Sequence, residues 1–590
     1  MAREGNNPFV SYLNRYTTAS PDHEAAFDEF ITHAPPSGEP LRLETRTERF
    51  VHACFRRQRP PSVILTGNAG DGKTYLCRRI VEAFTGQPVT EWADRLDWPI
   101  ERDGLTLRVV KDLSEVGEER AADLLYELAL DQLEEQPRFA FLIAANEGRL
   151  RAVLQRERLE ELYAEVDRQL REGPNLENDR LVVLNLNQAT TSTYVPQALA
   201  WLTDPVHWEA CAGCPALNAC PIRFNAGRLR DEHIARRVQR LYQVLEHLGI
   251  HVTIRDMLIH LAYTLTGGLR CETVIEKSRH IGWEVHRYVY YENVWGEMAD
   301  ETFRRKAVVI RHLRRLNVGE TSVFEVDDYI INGQPDDRDA QAEHERLFAP
   351  ALDLGGRRFE QDRAAYLHGG ASSPKPEEEH PLMAWLPHCR RKLFFEWQNG
   401  EVPDRLFPFL YLPDYFRLLH GDRALLDRYR RDLILGLNRA FSGLYLTDAD
   451  HLYVTSQYAH AVEQPVPLVR VKIAADYVDL RPDTERSEAF DRDLTTLLLE
   501  IPPPPRVRAE PVRWRVDLLR FEYLMRRARG GTPNILAAEC ELAIRQLKDE
   551  RLARFAAEET DPNRVLFFAA DRNRYALQTL WVDEEGRIRV

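Results

Sequence analysis

Short apolar runs alternate with amphipathic stretches from residue 62 onward. Ser62–Thr66 (SVILT) is β-branched, apolar and of strand length, and predicts a buried strand. Within Tyr75–Phe84, Leu76, Ile80 and Val81 share one face at helical spacing. Leu105–Leu113 predicts a second strand. Glu118–Glu135 predicts a helix with Leu124, Leu125 and Leu128 inward, and Phe139–Ala145 is the most apolar strand of the chain. Gly148–Glu172 predicts one long amphipathic helix, with Leu150, Val153, Leu154, Leu159, Leu162, Val166 and Leu170 in register. Leu181–Leu186 predicts a further strand. Strands alternating with helices in this way predict a parallel sheet covered by helices.

The later pattern differs. Asp231–Leu248 predicts a basic amphipathic helix with Ile234, Val238, Leu241 and Leu245 inward, and Thr253 is placed to N-cap the next helix. Gly333–Glu345 and Gly369–Pro381 read as polar or Gly/Ser/Pro/Glu-rich loops. Leu382–Ile501 mixes aromatic-rich helices with strand-like LYVTS and LVRVKI, and Pro502–Pro505 breaks the chain. The runs VLFFAA and ALQTLWV read as closing hairpin strands. The expected organisation is an N-terminal helical segment (1–60), an α/β core (61–200), a cysteine-rich knuckle (201–225), a helical lid (226–330), a loop region (331–381), an α+β domain (382–501) and an arginine-rich helix with a hairpin (502–590).

Composition narrows the class. A chain of 590 residues predicts two to four domains. The net charge of −14 argues against a simple DNA-coating protein and leaves room for local basic patches. No apolar run approaches the ~20 residues that span a bilayer, and MAREGNNPFVSYLNRY lacks a signal-peptide core. Eight cysteines are too sparse for a disulfide scaffold, so the cytoplasm is the expected compartment.

The strongest chemistry lies between the first strand and the first helix. Gly67-Asn68-Ala69-Gly70-Asp71-Gly72-Lys73-Thr74 fits G-x-x-x-x-G-K-[ST] at every fixed position. Such a loop lets backbone N–H groups converge on phosphate oxygens at the positive end of a helix dipole. Lys73 is expected to reach the β- and γ-phosphates of ATP and the Thr74 hydroxyl to ligate Mg2+, with Tyr75 completing the nucleotide-binding run. The predicted fold class is therefore α/β, a P-loop NTPase of AAA+ or ASCE-like type. A helical lid, an inserted metal knuckle and an α+β C-terminal region complete it.

Counting units places the other parts. The third strand ends Ala144-Ala145-Asn146-Glu147, where the Walker B acids belong. Glu147 would polarise the attacking water, and Asn146 stands where an aspartate usually holds Mg2+ through water. The fourth strand ends Asn185-Leu186-Asn187, with Asn187 as sensor of the γ-phosphate. A count shifted by one makes Asp112 the Walker B acid and Asn146 the sensor. The unit order of an AAA+-like core favours the first count. Arg255 is a candidate second sensor, and an ordinary surface arginine reads equally well.

His207, Cys211, Cys214 and Cys220 follow the spacing H-x3-C-x2-C-x5-C, and predict a tetrahedral Zn2+ knuckle. The runner-up is a [4Fe–4S] cluster, which would recruit a distant fourth cysteine such as Cys271. Arg304–Arg315 holds six basic residues and no acid, and offers candidate arginine fingers, although a solvated helix face is the commoner meaning. Arg506–Arg529 interleaves eight arginines with Trp514, Phe521 and Tyr523. That pattern suits either a nucleic-acid surface or a core helix with snorkelling arginines.

Taken together, GNAGDGKT, AANEGRL, the cysteine cluster leading into PIRFN, and HVTIRDML…LTGG resemble the DptF-like P-loop ATPases of bacterial phosphorothioation-dependent restriction, and anti-phage defence ATPases more broadly. The likeness covers roughly residues 60–270, with a weaker match over Gly436–Ser456. The resemblance implies a cytoplasmic bacterial protein that works with other restriction proteins on foreign DNA. No nuclease motif of PD-(D/E)xK type is evident, so such a subunit would drive or gate rather than cut. Two functions are expected: an ATP-hydrolysing motor or switch in a defence complex, or a nucleotide-binding assembly scaffold with little hydrolysis. Partner proteins, local or indirect DNA contact, self-assembly into a homo-oligomer and no membrane complete the expectations.

Overall fold

The computed structural model describes residues 6–589 except 16, 18–33, 88, 90–96, 103, 135–137, 158, 177–178, 281, 335, 350–353, 355, 369–379, 399–401, 457–466, 532–536, 557–562, 573, 584 and 586. The expected loop at Gly369–Pro381 lies outside the described residues save for its last two. The chain forms two compact units. The first holds residues 1–246, 250–406 and 486–493; the second holds 247–249, 407–485 and 494–590. Among the described residues, no helix is long and apolar enough to cross a membrane.

The first unit opens with helices α1 (Pro8–Asn14) and α2 (Arg46–Phe55). Then come β1 (Ser62–Thr66), α3 (Lys73–Thr85), β2 (Asp97–Arg102), β3 (Leu105–Val110), α4 (Glu118–Leu133), β4 (Phe139–Ala145), α5 (Glu147–Arg156), α6 (Glu160–Glu172) and β5 (Leu181–Asn185). The strands form one sheet in the order β2-β3-β4-β1-β5. All its pairings are parallel except the β2–β3 edge hairpin. Side chains alternate between the two faces, and both faces are covered, which is why the inner strands β1 and β4 and the neighbouring β5 are largely apolar. Val63, Leu65, Leu142 and Val182 meet α2 and α3 on one side. Ile64, Ile143 and Val183 meet α4, α5 and α6 on the other.

Two local expectations are corrected. The helix read over Gly148–Glu172 is two helices, α5 and α6, with Glu157 closing the first. A straight helix of that length would run about 37 Å, whereas strands of five to seven residues span only about 17–23 Å. The break lets Leu150, Val153 and Leu154 share one core with Leu162, Val166 and Leu170. Strand β2 is not among the elements expected from the sequence, and it contains Pro99. Proline is tolerated here because β2 is an edge strand, paired with β3 alone.

Helices α7 (Val195–Leu202), α8 (Pro221–Leu229), α9 (Glu232–His247), α10 (Ile254–Thr266) and α11 (Cys271–Lys277) follow. Ile234, Val238, Leu241 and Leu245 of α9 are all buried, and Thr253 caps α10 by accepting from the Asp256 N–H at 3.1 Å. The loop expected across 331–381 instead contains helices Arg338–Leu347 and Gly356–His368. Asp337 caps the first of them, and buried Leu347, Phe348 and Phe359 anchor this polar stretch. Helix Pro381–Glu396 belongs to the first unit, where Arg390 grips Asp327 and Arg228 grips Glu396.

The second unit contains a three-stranded antiparallel sheet and a five-stranded one. Its strands are β6 (His451–Thr455), β7 (Leu468–Ala474), β8 (Asp479–Arg486), β9 (Asp493–Ile501), β10 (Val512–Val516), β11 (Arg564–Asp571), β12 (Arg574–Val582) and β13 (Ile588–Arg589). The boundary expected at 501/502 falls inside an antiparallel pair, because Pro502–Pro505 lies in the connection between β9 and β10. Helices Arg423–Ser442 and Leu518–Ala528 cross closely at Gly436, where a Cβ would stand 2.4 Å from the Leu524 carbonyl oxygen. Gly436→Ala is expected to wedge these helices apart. Overpacking of about 1–3 kcal/mol outweighs the roughly 1 kcal/mol of helix propensity gained. Urea unfolding should show a lower midpoint, and an unchanged midpoint would refute the close approach.

Candidate nucleotide-binding site and cysteine cluster

The carboxyl ends of β1, β3, β4 and β5 lie along one edge of the sheet, where open α/β folds bind ligands. The loop Gly67–Thr74 leaves β1 there and turns into α3. Gly70 has φ +101°, and a Cβ on it would meet Arg255 Cβ and Thr253 Oγ1 at 2.9 Å. Glycine at this variable position of the motif is thus required by the start of α10, which lies against the loop. The Arg255 N–H donates to the Gly70 carbonyl at 3.2 Å.

Lys73 is buried, and its ammonium donates to the carbonyls of Gly67 (2.9 Å) and Asn68 (2.7 Å). Burial holds its pKa below the usual lysine value; the charges of Asp71 and Asp112 oppose this and Arg255 adds to it. Asp71 accepts from the Asn68 N–H at 2.6 Å through one oxygen and meets His251 Nε2 at 2.9 Å through the other. The same Asn68 N–H reaches Asn187 Oδ1 at 2.9 Å. Asn187 and Arg255, distant in sequence, are therefore brought to the loop. His251 is an unforeseen member. It lies in the HVTIRDML stretch, but its spacing signals no chemistry.

The two acid assignments separate in the fold. Asp112 follows β3, accepts from the Ser114 N–H at 2.8 Å, and acts electrostatically on Lys73. The Leu113 N–H holds this turn to the Ala144 carbonyl at the end of β4. Asn146 spends its side chain capping α5, accepting from the Gly148 N–H at 3.0 Å. Glu147 is the first residue of α5 and accepts from Arg151 Nε at 3.0 Å, an i,i+4 pair on its own helix.

Behind Asn187, Glu246 accepts from the Ser192 N–H (2.8 Å) and hydroxyl (2.7 Å). Burial pushes its carboxyl up to about 7, the Ser192 bonds opposing. A raised native pKa means the folded state keeps a proton that the unfolded chain releases. This stabilisation is full below about pH 4.5 and is lost as pH rises through about 7. Glu246→Gln is expected to remove that slope, so that variant and wild type diverge by about 3 kcal/mol between these pH values. Parallel stability–pH curves would contradict it.

The cysteines converge differently from the expected knuckle. Cys211 ends a 3-10 segment (Pro205–Cys211), Cys220 caps α8, and Cys271 opens α11. With Cys214 these thiols line a cavity of about 20 Å3, walled also by Trp208 and Ile222. Burial pushes the Cys220 thiol up to about 11 and Cys271 up to about 12. His207 does not line this cavity. Its ring stacks on Phe9 at 4.0 Å, and its Nδ1 meets Ser37 Oγ at 3.1 Å. Among the described residues, no group of three or more His, Cys, Asp or Glu side chains is placed to hold a metal ion.

The basic stretches are also redefined. Arg304–Arg315 is broken at Ala307 into two short helices; Arg304 donates to the Gly296 and Glu297 carbonyls, and Arg314 pairs with Glu297. Arg305, Lys306, Arg311 and Arg315 are exposed. In Arg506–Arg529 the aromatics are core: Trp514, Phe521 and Tyr523 are buried. Arg513, Arg515, Arg520, Arg526 and Arg529 are ion-paired with acids. An aromatic stacking surface for nucleic acid is thus absent among the described residues of this stretch. No family model, curated protein or solved structure matches the chain.

Proposed function

We propose that this chain binds ATP with Mg2+ at Gly67–Thr74 and hydrolyses it, as an AAA+-like subunit of a bacterial DNA-restriction or anti-phage defence assembly. The observation that carries the reading is the convergence on one loop of a buried Lys73, Asp112, Asn187 and Arg255. In this reading Lys73 neutralises the β- and γ-phosphates. The Thr74 hydroxyl and Asp112 hold Mg2+, the latter through water. Asn187 and Arg255 sense the γ-phosphate. Asp112 takes the magnesium role ahead of Asn146, because its charge reaches Lys73 while Asn146 caps α5. The defence setting rests on the sequence resemblance alone.

A scaffold with little turnover is the second reading, favoured by the commitment of Glu147 to Arg151. Partners would then supply what the chain lacks, and exposed Arg305, Arg311 and Arg315 are the candidates for fingers onto a neighbouring copy. Calorimetric titration with ATP·Mg2+ and steady-state phosphate release, with and without DNA and partner proteins, test both. Binding with turnover supports the first reading, binding without turnover the second, and absence of binding overturns both.

A further inference from the structure

We infer that Cys211, Cys214, Cys220 and Cys271 together hold a single zinc-class ion, with Cys271 in place of His207. Two independent observations converge. The four cysteines, with Cys271 distant in sequence from the other three, line one small cavity, and four thiols around one void match the donor set of a single tetrahedral ion. Three of the four also receive N–H groups: Asn7 Nδ2 onto Cys211 (3.3 Å), the Asn7 N–H onto Cys271 (3.4 Å) and the Arg223 N–H onto Cys220 (3.4 Å). A neutral thiol is a weak acceptor, whereas metal-bound thiolates are oriented and stabilised by just such outer donors. Bringing the sulfurs onto one ion would take rotation of their side chains about χ1. Four thiolates around a tetrahedral ion form a closed, structural set.

The site ties together distant parts of the first unit. Asn7 precedes α1, and Asn14 at its end donates to the Leu269 carbonyl at 2.8 Å, just before α11. Cys271 follows α10, the helix whose first turn touches the P-loop. Zinc would pin the far end of that helix, so its removal should loosen α1 and α11 before the sheet.

The test uses the full-length protein. Metal analysis is expected to find about one zinc per chain, and zinc X-ray absorption a sulfur-only shell at about 2.3 Å. Cys271→Ser should lose zinc on desalting and His207→Gln should keep it. The wild-type spectrum decides the matter even if Cys271→Ser fails to fold. An imidazole shell at about 2.0 Å, iron with labile sulfide, or folded metal-free protein would overturn the proposal. None of these readings depends on ATP.

Discussion

Lys73→Ala is expected to abolish measurable ATP binding. The ammonium sits buried within the loop, held by the Gly67 and Asn68 carbonyls, in the field of Asp71 and Asp112. A phosphate chain would replace those carbonyl bonds with charge-assisted ones, each worth about 1.5–3 kcal/mol. Losing two of them weakens binding by roughly 10^2 to 10^4-fold. Calorimetry should read this, with circular dichroism as the control for folding. Affinity within a few-fold of wild type would remove the central support of the proposed function.

Asp112→Asn is expected to cut turnover by about 100-fold or more, since a Mg2+ clamp supplies several kcal/mol to phosphoryl transfer. Nucleotide binding measured without Mg2+ should persist. Glu147→Gln is expected to change turnover only a few-fold, because Glu147 is paired with Arg151 on its own helix. The reverse result, with Glu147 essential and Asp112 dispensable, would restore the assignment drawn from counting strands.

That contrast marks where the linear pattern stops informing. The glycine-rich motif and strands β1, β3, β4 and β5 were legible because each is encoded by consecutive residues, and a doubly covered parallel strand is largely apolar. Which acid's charge acts on Lys73 was not legible. It depends on strand order, and β4 inserts between β1 and β3 although it comes later in the chain. Gly70 looked like a free position of the motif; its need for glycine comes from Thr253 and Arg255, some 180 residues away in sequence. Segment 486–493 carried no signal, yet Ala489 and Phe490 enter the core beneath the sheet and Asp491 receives the Thr190 N–H at 2.7 Å.

The cysteine and arginine patterns divide the same way. The tight spacing of Cys211, Cys214 and Cys220 announced a cluster locally, but choosing its fourth member between His207 and Cys271 required knowing which one the helices bring round. Phe9 claims the His207 ring through stacking, while α11 delivers Cys271 to the cavity. In Arg506–Arg529 the helical period was consistent with both a core and a surface, and burial of the aromatics decided for the core. By itself, then, the sequence determined the local elements, the glycine-rich loop between β1 and α3 and the local grouping of three cysteines, because propensity, periodicity and short motifs act between near neighbours. Only the tertiary structure decided which distant side chains share a site, because that follows from strand order and helix packing, which depend on burial summed over the whole unit.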